Sequence, residues 1–362
     1  MKKEKIIYSV VFTLCIIGYF ATDISYAGLV GIAMIFYAGL ALALVGGSTD
    51  NVKITLSGEK EGRKEMEAKL CLTVENKGMM PIVNGRCNLE AVNKLTGEEA
   101  TLSKNLSLMP KSSSTIDFSI LPQYCGCVEV SAYEVIISDP LGIFQRKQSL
   151  HEETSCYVFP SMNQLPLDSD SLDRYNMESY KYSANQKGSD ISETFGIKDY
   201  MPGDSPKAIH WKLSCKMDDI VVRELSHPVE NSLMIICDKS LSQGQQLSEA
   251  TKDKMTGLFV SLSATAIKHE LHHAIGWYNY DIEQFQVFRI DNLDDIYNAL
   301  PGLLGSPYRE DPLSTVGRYV ESDAEKNFST YLYFSESENA ENDTERLLNY
   351  GQVEIYRTEN FE

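Results

Sequence analysis

The sequence predicts a multidomain chain. It reads as an N-terminal two-helix membrane hairpin, an antiparallel β-sandwich, and an α/β domain built on a doubly wound sheet. Three observations predict this. Two uncharged apolar runs, 6–21 and 27–45, lie close together at the N-terminus. From about Val52 to Val158, short alternating segments sit between turn residues. After Asn231, apolar strand-like runs alternate with helical ones. The boundaries are 1–47 for the hairpin, 50–160 for the sandwich, 161–230 for a linking segment and 231–362 for the α/β domain.

Neither N-terminal run keeps the polar face of a soluble core helix. At about 1.5 Å per residue the second run reaches the roughly 30 Å of a bilayer core, and the first is a little short. Gly28, Gly31 and Gly39 would let two helices approach closely. Lys2, Lys3 and Lys5 before the first run favour a cytoplasmic start, so two crossings return the rest of the chain to the cytoplasm. The expected location is therefore the cell membrane, multi-pass, with cytoplasmic soluble domains. Ser25-Tyr26-Ala27 also resembles a signal-peptidase site, which would remove the first run. The eight cysteines show no small-scaffold spacing and fit a reducing compartment; Cys125-Gly126-Cys127 alone is a weak redox or metal signal. A net charge of −18 without clustered Lys and Arg argues against nucleic acid.

In the sandwich, Ala68–Val74, Ser114–Ile120 and Cys127–Tyr133 each alternate with period two. Asn76-Lys77-Gly78, Thr96-Gly97 and Pro110-Lys111 supply turns, as does Asp139-Pro140-Leu141-Gly142-Ile143-Phe144. Nothing in this stretch carries catalytic residues in a pattern.

Residues 188–225 read as strand, tight turn, short helix, strand. Pro202-Gly203 suits a type II turn, Asp204 a helix cap and Pro206 a first helical turn. The run Glu193, Phe195, Tyr200, Pro202, Gly203, Asp204, Lys207, Ile209 and Trp211 resembles the signature of the bacterial family called domain of unknown function 58. The Asp139–Phe144 run, Val158-Phe159-Pro160 and the paired N-terminal apolar runs are similar to its usual layout. Lys198, Lys207 and Lys216 stand where that family often has Arg, which keeps charge but loses the bidentate fork. The resemblance implies a membrane-anchored, non-enzymatic protein that accompanies a MoxR-type AAA ATPase.

Ser232–Cys237 is a continuous apolar run suited to a buried parallel strand. It ends in Asp238-Lys239-Ser240-Leu241-Ser242, which looks like the metal-ion-dependent adhesion site of von Willebrand factor A domains. Asp238, Ser240 and Ser242 would then hold Mg²⁺ with hard oxygen donors, at the sheet edge where open α/β folds bind ligands. Such domains add a Thr and an Asp from later loops. Ser306 or Thr315 stands for the first and Ser335 or Glu336 for the second. The function this implies is a cytoplasmic scaffold or adaptor, held to membrane lipid by the hairpin, that recruits a protein partner through the metal. A structural cell-envelope protein with an inactive metal site is one alternative. Another is a zinc metalloprotease, because His269-Glu270-Leu271-His272-His273 matches His-Glu-x-x-His, with His269 and His273 as ligands and Glu270 activating water. Asn279 stands where a third His belongs.

Overall fold

The computed structural model describes the backbone at residues 2–22, 25–49, 51–163, 165, 182–201, 205–217, 219–228 and 231–361. Side chains are described at these positions except 2, 21–22, 25, 48–49, 182–196, 206, 217, 224–228, 231–232 and 360–361. The chain forms two compact units, Met1–Gln123 with Cys127–Val158, and Tyr124–Gly126 with Phe159–Glu362.

The first unit opens with helices α1 (Lys2–Thr22) and α2 (Ser25–Thr49). Among the described residues one helix, Tyr26–Gly47, is long and apolar enough to cross a bilayer, with a mean hydropathy of 2.3. The apolar part of α1 is shorter, because Lys2, Lys3, Glu4 and Lys5 take its first turn. Tyr8 donates from α1 to the Met34 carbonyl of α2 at 2.5 Å. The Tyr37 hydroxyl of α2 donates to the Asp139 carboxylate, and Ala41 and Val45 on the same helix are buried.

Eight strands follow: β1 (Val52–Gly58), β2 (Glu61–Arg63), β3 (Ala68–Asn76), β4 (Ile82–Asn93), β5 (Glu99–Leu108), β6 (Ser112–Ile120), β7 (Gly126–Ser138) and β8 (Gln145–Phe159). They form one sheet in the order β1-β3-β6 and a second in the order β2-β8-β7-β4-β5. In β3 the period-two pattern does what it predicts: Ala68, Leu70, Leu72 and Val74 are buried and Lys69 is exposed. These side chains share one core with Cys87, Leu89, Val130, Val135 and Val158 of the other sheet. Turn chemistry fixes the strand ends. The fully buried Asn76 donates to the Met80 and Met109 carbonyls and accepts from the Gly78 amide. Asp139 plays the same part in its turn. It accepts from the amides of Leu141 at 3.1 Å and Phe144 at 2.5 Å, while Gly142 takes φ 71°.

The second unit is mixed α/β. Strands β9 (Tyr182–Asp199) and β10 (Val221–Pro228) pair antiparallel, with α3 (Trp211–Met217) between them. Then come β11 (Asn231–Cys237), β12 (Ser240–Leu241), α4 (Glu249–Lys268), β13 (His273–Asn279), β14 (Gln284–Ile290), α5 (Leu293–Gly305), β15 (Arg309–Glu310), α6 (Ser314–Glu321), β16 (Phe328–Phe334), α7 (Ala340–Leu347) and β17 (Gln352–Tyr356). The main sheet has the order β14-β13-β11-β16-β17. β11 pairs parallel with both β13 and β16, β17 is parallel to β16, and β14 turns back antiparallel on β13. Helices cover both faces. On one, Phe259 of α4 meets Phe334 edge-on at 5.9 Å. On the other, Tyr319 of α6 meets Tyr331 at 6.0 Å. That double cover is why β11 shows no alternation: Leu233, Met234, Ile235, Ile236 and Cys237 are all buried.

Helix ends follow local rules. The Ser248 side chain caps α4 by accepting from the Thr251 amide at 3.1 Å. Asn292 and Asp295 form a reciprocal capping box on α5. Absent from the sequence reading are α6, which starts without a side-chain cap, and the two-residue strands β12 and β15, too brief for a periodic signal.

Candidate functional site

β11 is the strand from which the chain first runs one way, to β13, and later returns on the other side as β16. Open α/β sheets form a crevice at such a reversal, beyond the carboxyl ends of the two strands. The residues there are Asp238, just after β11, and Ser335, just after β16. The Asp238 amide donates to the Phe334 carbonyl at 2.8 Å, which holds the two loops side by side.

Asp238 is 2% exposed, and both its oxygens are engaged. Oδ1 accepts from the Ser240 amide at 2.9 Å and the Ser240 hydroxyl at 2.5 Å. Oδ2 accepts from the Tyr333 and Ser335 hydroxyls, each at 2.6 Å. Burial, then Asp238 and Asp343, push the Tyr333 phenol far above its usual range, so it remains a proton donor. Tyr333 also lies 3.2 Å from Asp343, whose other oxygen accepts from Ser314 at 2.8 Å. Burial raises the Asp343 carboxyl, opposed by the bond from Ser314. Ser314 holds this position with φ 63°, an uncommon conformation for a residue other than glycine.

Of the expected later donors, the structure brings in Thr315 and Ser335. The Thr315 amide donates to the Ser240 hydroxyl at 3.2 Å, and its own hydroxyl accepts from the Lys239 amide at 3.2 Å. Ser306 instead gives its carbonyl to the Lys239 ammonium at 2.7 Å, and Glu336 accepts from the Thr358 amide. Ser242 stands on the rim, 3.1 Å from the Ser337 hydroxyl and bonded by Asn339 at 3.3 Å. Gln245 crosses the same rim to the Glu336 carbonyl at 2.7 Å. Hydroxyls and a carboxylate are the right kind of donor for a hard cation. As they stand these residues do not fit a directly bound one, because each Asp238 oxygen already accepts two hydrogen bonds. Among the described residues no group of three or more His, Cys, Asp and Glu is placed to hold a metal.

Lys239, between the two site residues, serves the fold. It is fully buried, and its ammonium donates to the Leu303 and Ser306 carbonyls at the end of α5, where cations are favoured. Burial lowers its pKa to about 8.

The zinc-protease reading requires His269 and His273 on one helical face, and the structure separates them. α4 ends at Lys268, and the Leu271 amide reaches back to the Ala266 carbonyl while Glu270 takes φ 59°. This is a Schellman-type stop. His273 is already the first residue of β13. Its Nδ1 must donate to the Leu271 carbonyl at 2.9 Å, so Nε2 accepts from the Ser263 hydroxyl at 2.7 Å. Burial lowers its pKa to about 4, leaving a neutral core histidine. The Cys-x-Cys pair is equally quiet: Cys125 and Cys127 are buried, and burial pushes the Cys127 thiol up.

Of the signature residues, Pro202, Gly203 and Asp204 lie outside the described residues, as do the side chains of Glu193 and Phe195. Tyr200, Lys207 and Trp211 are exposed. The joint in this segment is made by residues the sequence did not single out. The Ser214 hydroxyl accepts from the Val221 amide at 3.1 Å and donates to the His210 carbonyl at 3.2 Å, tying α3 to β10. The His210 amide donates to the Val221 carbonyl at 2.9 Å.

Residues 196–273 match the model of a family described as protein of unknown function DUF58. That match supports a place in this family and covers a minority of the chain. No curated protein matches the sequence. Several solved structures show distant likenesses. The CARDB domain of a Pyrococcus furiosus protein is 13% identical over 30% of this chain and 91% of its own, with a TM-score of 0.23. The C-terminal domain of wzt is 12% identical over 32% and 77%, with a TM-score of 0.24. A cohesin module from a Clostridium perfringens glycoside hydrolase is 10% identical over 30% and 96%, with a TM-score of 0.22. At such scores none of them bears on fold or function.

Proposed function

We propose that this chain is a membrane-attached, non-enzymatic scaffold that offers the carboxyl edge of its main sheet to a protein partner. One observation carries the reading. The loops that follow β11 and β16 meet where the strand order reverses, and a rim of Ser242, Gln245, Ser337 and Asn339 is cross-linked there by hydrogen bonds. A preformed polar rim at a switch point is where such a sheet binds. The Asp-x-Ser-x-Ser run leaving the central strand, with Thr315 and Ser335 arriving beside it, supports a von Willebrand factor A-like domain. The apolar Tyr26–Gly47 helix supports membrane attachment, with α1 as the other arm of a hairpin and the soluble units on the cytoplasmic side. The family match fits a protein of unassigned process, and the resemblance it strengthens points to a MoxR-type AAA ATPase as the partner.

The test is affinity recovery of the full chain from detergent-solubilised membranes. A MoxR-type ATPase is expected with the natural chain. It is expected to be lost with the paired rim substitutions Gln245→Ala and Asn339→Ala, which leave Asp238 and the core untouched. Equal recovery by both chains removes the rim as the docking site.

A further inference from the structure

We infer that the Asp238 cluster is closed by this chain's own hydroxyls, and that the edge it supports works without a divalent cation. The inference rests on reading that edge as the docking surface and states how the surface is held.

An ionised carboxylate presents about four lone-pair directions. At Asp238 a donor meets each of them: the Ser240 amide, the Ser240 hydroxyl, the Tyr333 hydroxyl and the Ser335 hydroxyl, at 2.9, 2.5, 2.6 and 2.6 Å. Mg²⁺ requires oxygen contacts of about 2.1 Å in a near-octahedral shell. Coordination by Asp238 would expel a donor from a carboxylate that is 2% exposed. Ser240 is committed as well, because its hydroxyl donates to Asp238 and accepts from the Thr315 amide.

Charge points the same way. Among Asp238, Ser240, Thr315 and Ser335, one side chain is anionic. A dication is poorly neutralised by a single buried carboxylate. The second buried carboxylate, Asp343, lies behind Tyr333, whose hydroxyl is 2.6 Å from Asp238 and 3.2 Å from Asp343. Asp343 is also held by Ser314 at 2.8 Å. The tyrosine thus occupies the space between the two acids. Ser335 stands directly after β16, in register with Asp238 across the Cys237–Phe334 pair, where a second acid could join Asp238. A hydroxyl there donates where a carboxylate would repel. The cluster therefore does with hydrogen bonds what a cation does with charge: it neutralises Asp238 and pins the loops that carry the rim.

The experiment is thermal unfolding of the full chain in detergent, with EDTA or with millimolar Mg²⁺, Mn²⁺ or Ca²⁺. The natural chain is expected to melt at the same temperature in all four. Ser335→Asp places a second acid against Asp238, so its melting temperature is expected to fall by several degrees in EDTA and to recover with Mg²⁺. Ser335→Asn, uncharged and of the same shape, is expected to show no recovery. A rise for the natural chain with Mg²⁺ that disappears in Asp238→Asn overturns the inference. Should Ser335→Asp not fold, Mn²⁺ titration of the natural chain decides. Absence of saturable binding supports closure, and one bound ion per chain that is lost in Asp238→Asn refutes it. Metal titration reports on the cluster alone and partner recovery on the rim alone, so failure of one is distinguishable from failure of the other.

Discussion

His273 shows how much one buried ring can weigh. It is 4% exposed and neutral, with both nitrogens engaged. The unfolded chain takes up the proton near 6.5, and the folded chain only near 4. As pH falls through that window the unfolded state binds more protons, so stability is intact above 6.5 and declines towards 4. The full loss is about 3 kcal/mol. His273→Gln is expected to be less stable at pH 7 yet to lose less on going to pH 5. Urea midpoints at the two pH values check it, and equal pH sensitivity in both chains would assign the acid response elsewhere. Lys239 is a second such group. Its folded pKa of about 8 against an ordinary 10.5 makes stability rise with pH across that interval.

At the scale of elements, the end of α4 decides between two chemistries. A helix running through His-Glu-x-x-His would put two imidazoles on one face. Glu270 instead takes a left-handed conformation, and the chain turns into β13. That position suits glycine, since a side chain costs roughly 1 kcal/mol there. Glu270→Gly is expected to raise the urea midpoint by the equivalent of roughly 1 kcal/mol. A lowered midpoint would mean that the Glu270 side chain holds something up. The sharp stop has a purpose in the fold. It releases the strand early enough for His273 to pair with Ile290 and for all of β13 to be buried.

At the scale of the whole molecule, the N-terminal helix meets a competition. Tyr37 lies about 16 Å along the helix from Tyr26, near the centre of a roughly 30 Å hydrocarbon core. Its hydroxyl is nevertheless bonded to Asp139, the organiser of a turn in the β-sheet unit. A fully inserted helix and that bond exclude each other, so spanning requires Tyr37 to release Asp139 in the bilayer. Leu40, exposed on the same helix, reports the outcome. In intact vesicles Leu40→Cys is expected to gain no label from a membrane-impermeant maleimide beyond that of the parent chain, and to gain it once detergent is added. Labelling before detergent would leave this half of the helix against the sheets and remove the spanning reading.

The sequence by itself determined the order of the domains and the kinds of their longer elements. Alternation in Ala68–Val74 specified a strand with one dry face, and the unbroken apolar run before Asp238 a strand covered on both. The same local reasoning placed Asp238 and Ser240 at a strand's carboxyl end. These features depend on neighbours in the chain, whose spacing sets which face a side chain takes. Only the tertiary structure decided what meets Asp238. Tyr333 and Ser335 reach it from 95 and 97 residues away, and Thr315 reaches Ser240 from 75. Ser306, an equal candidate by residue type, caps α5 through Lys239 instead. Which hydroxyl fills a buried carboxylate depends on strand order and on how helices cover the sheet. Those follow from burial summed over the whole unit, a quantity no local pattern records. The Asp-x-Ser-x-Ser run was therefore legible as a motif, with Ser335 one of two candidates beside it; that Ser335 rather than Glu336 reaches Asp238, and that Tyr333 joins it, was not.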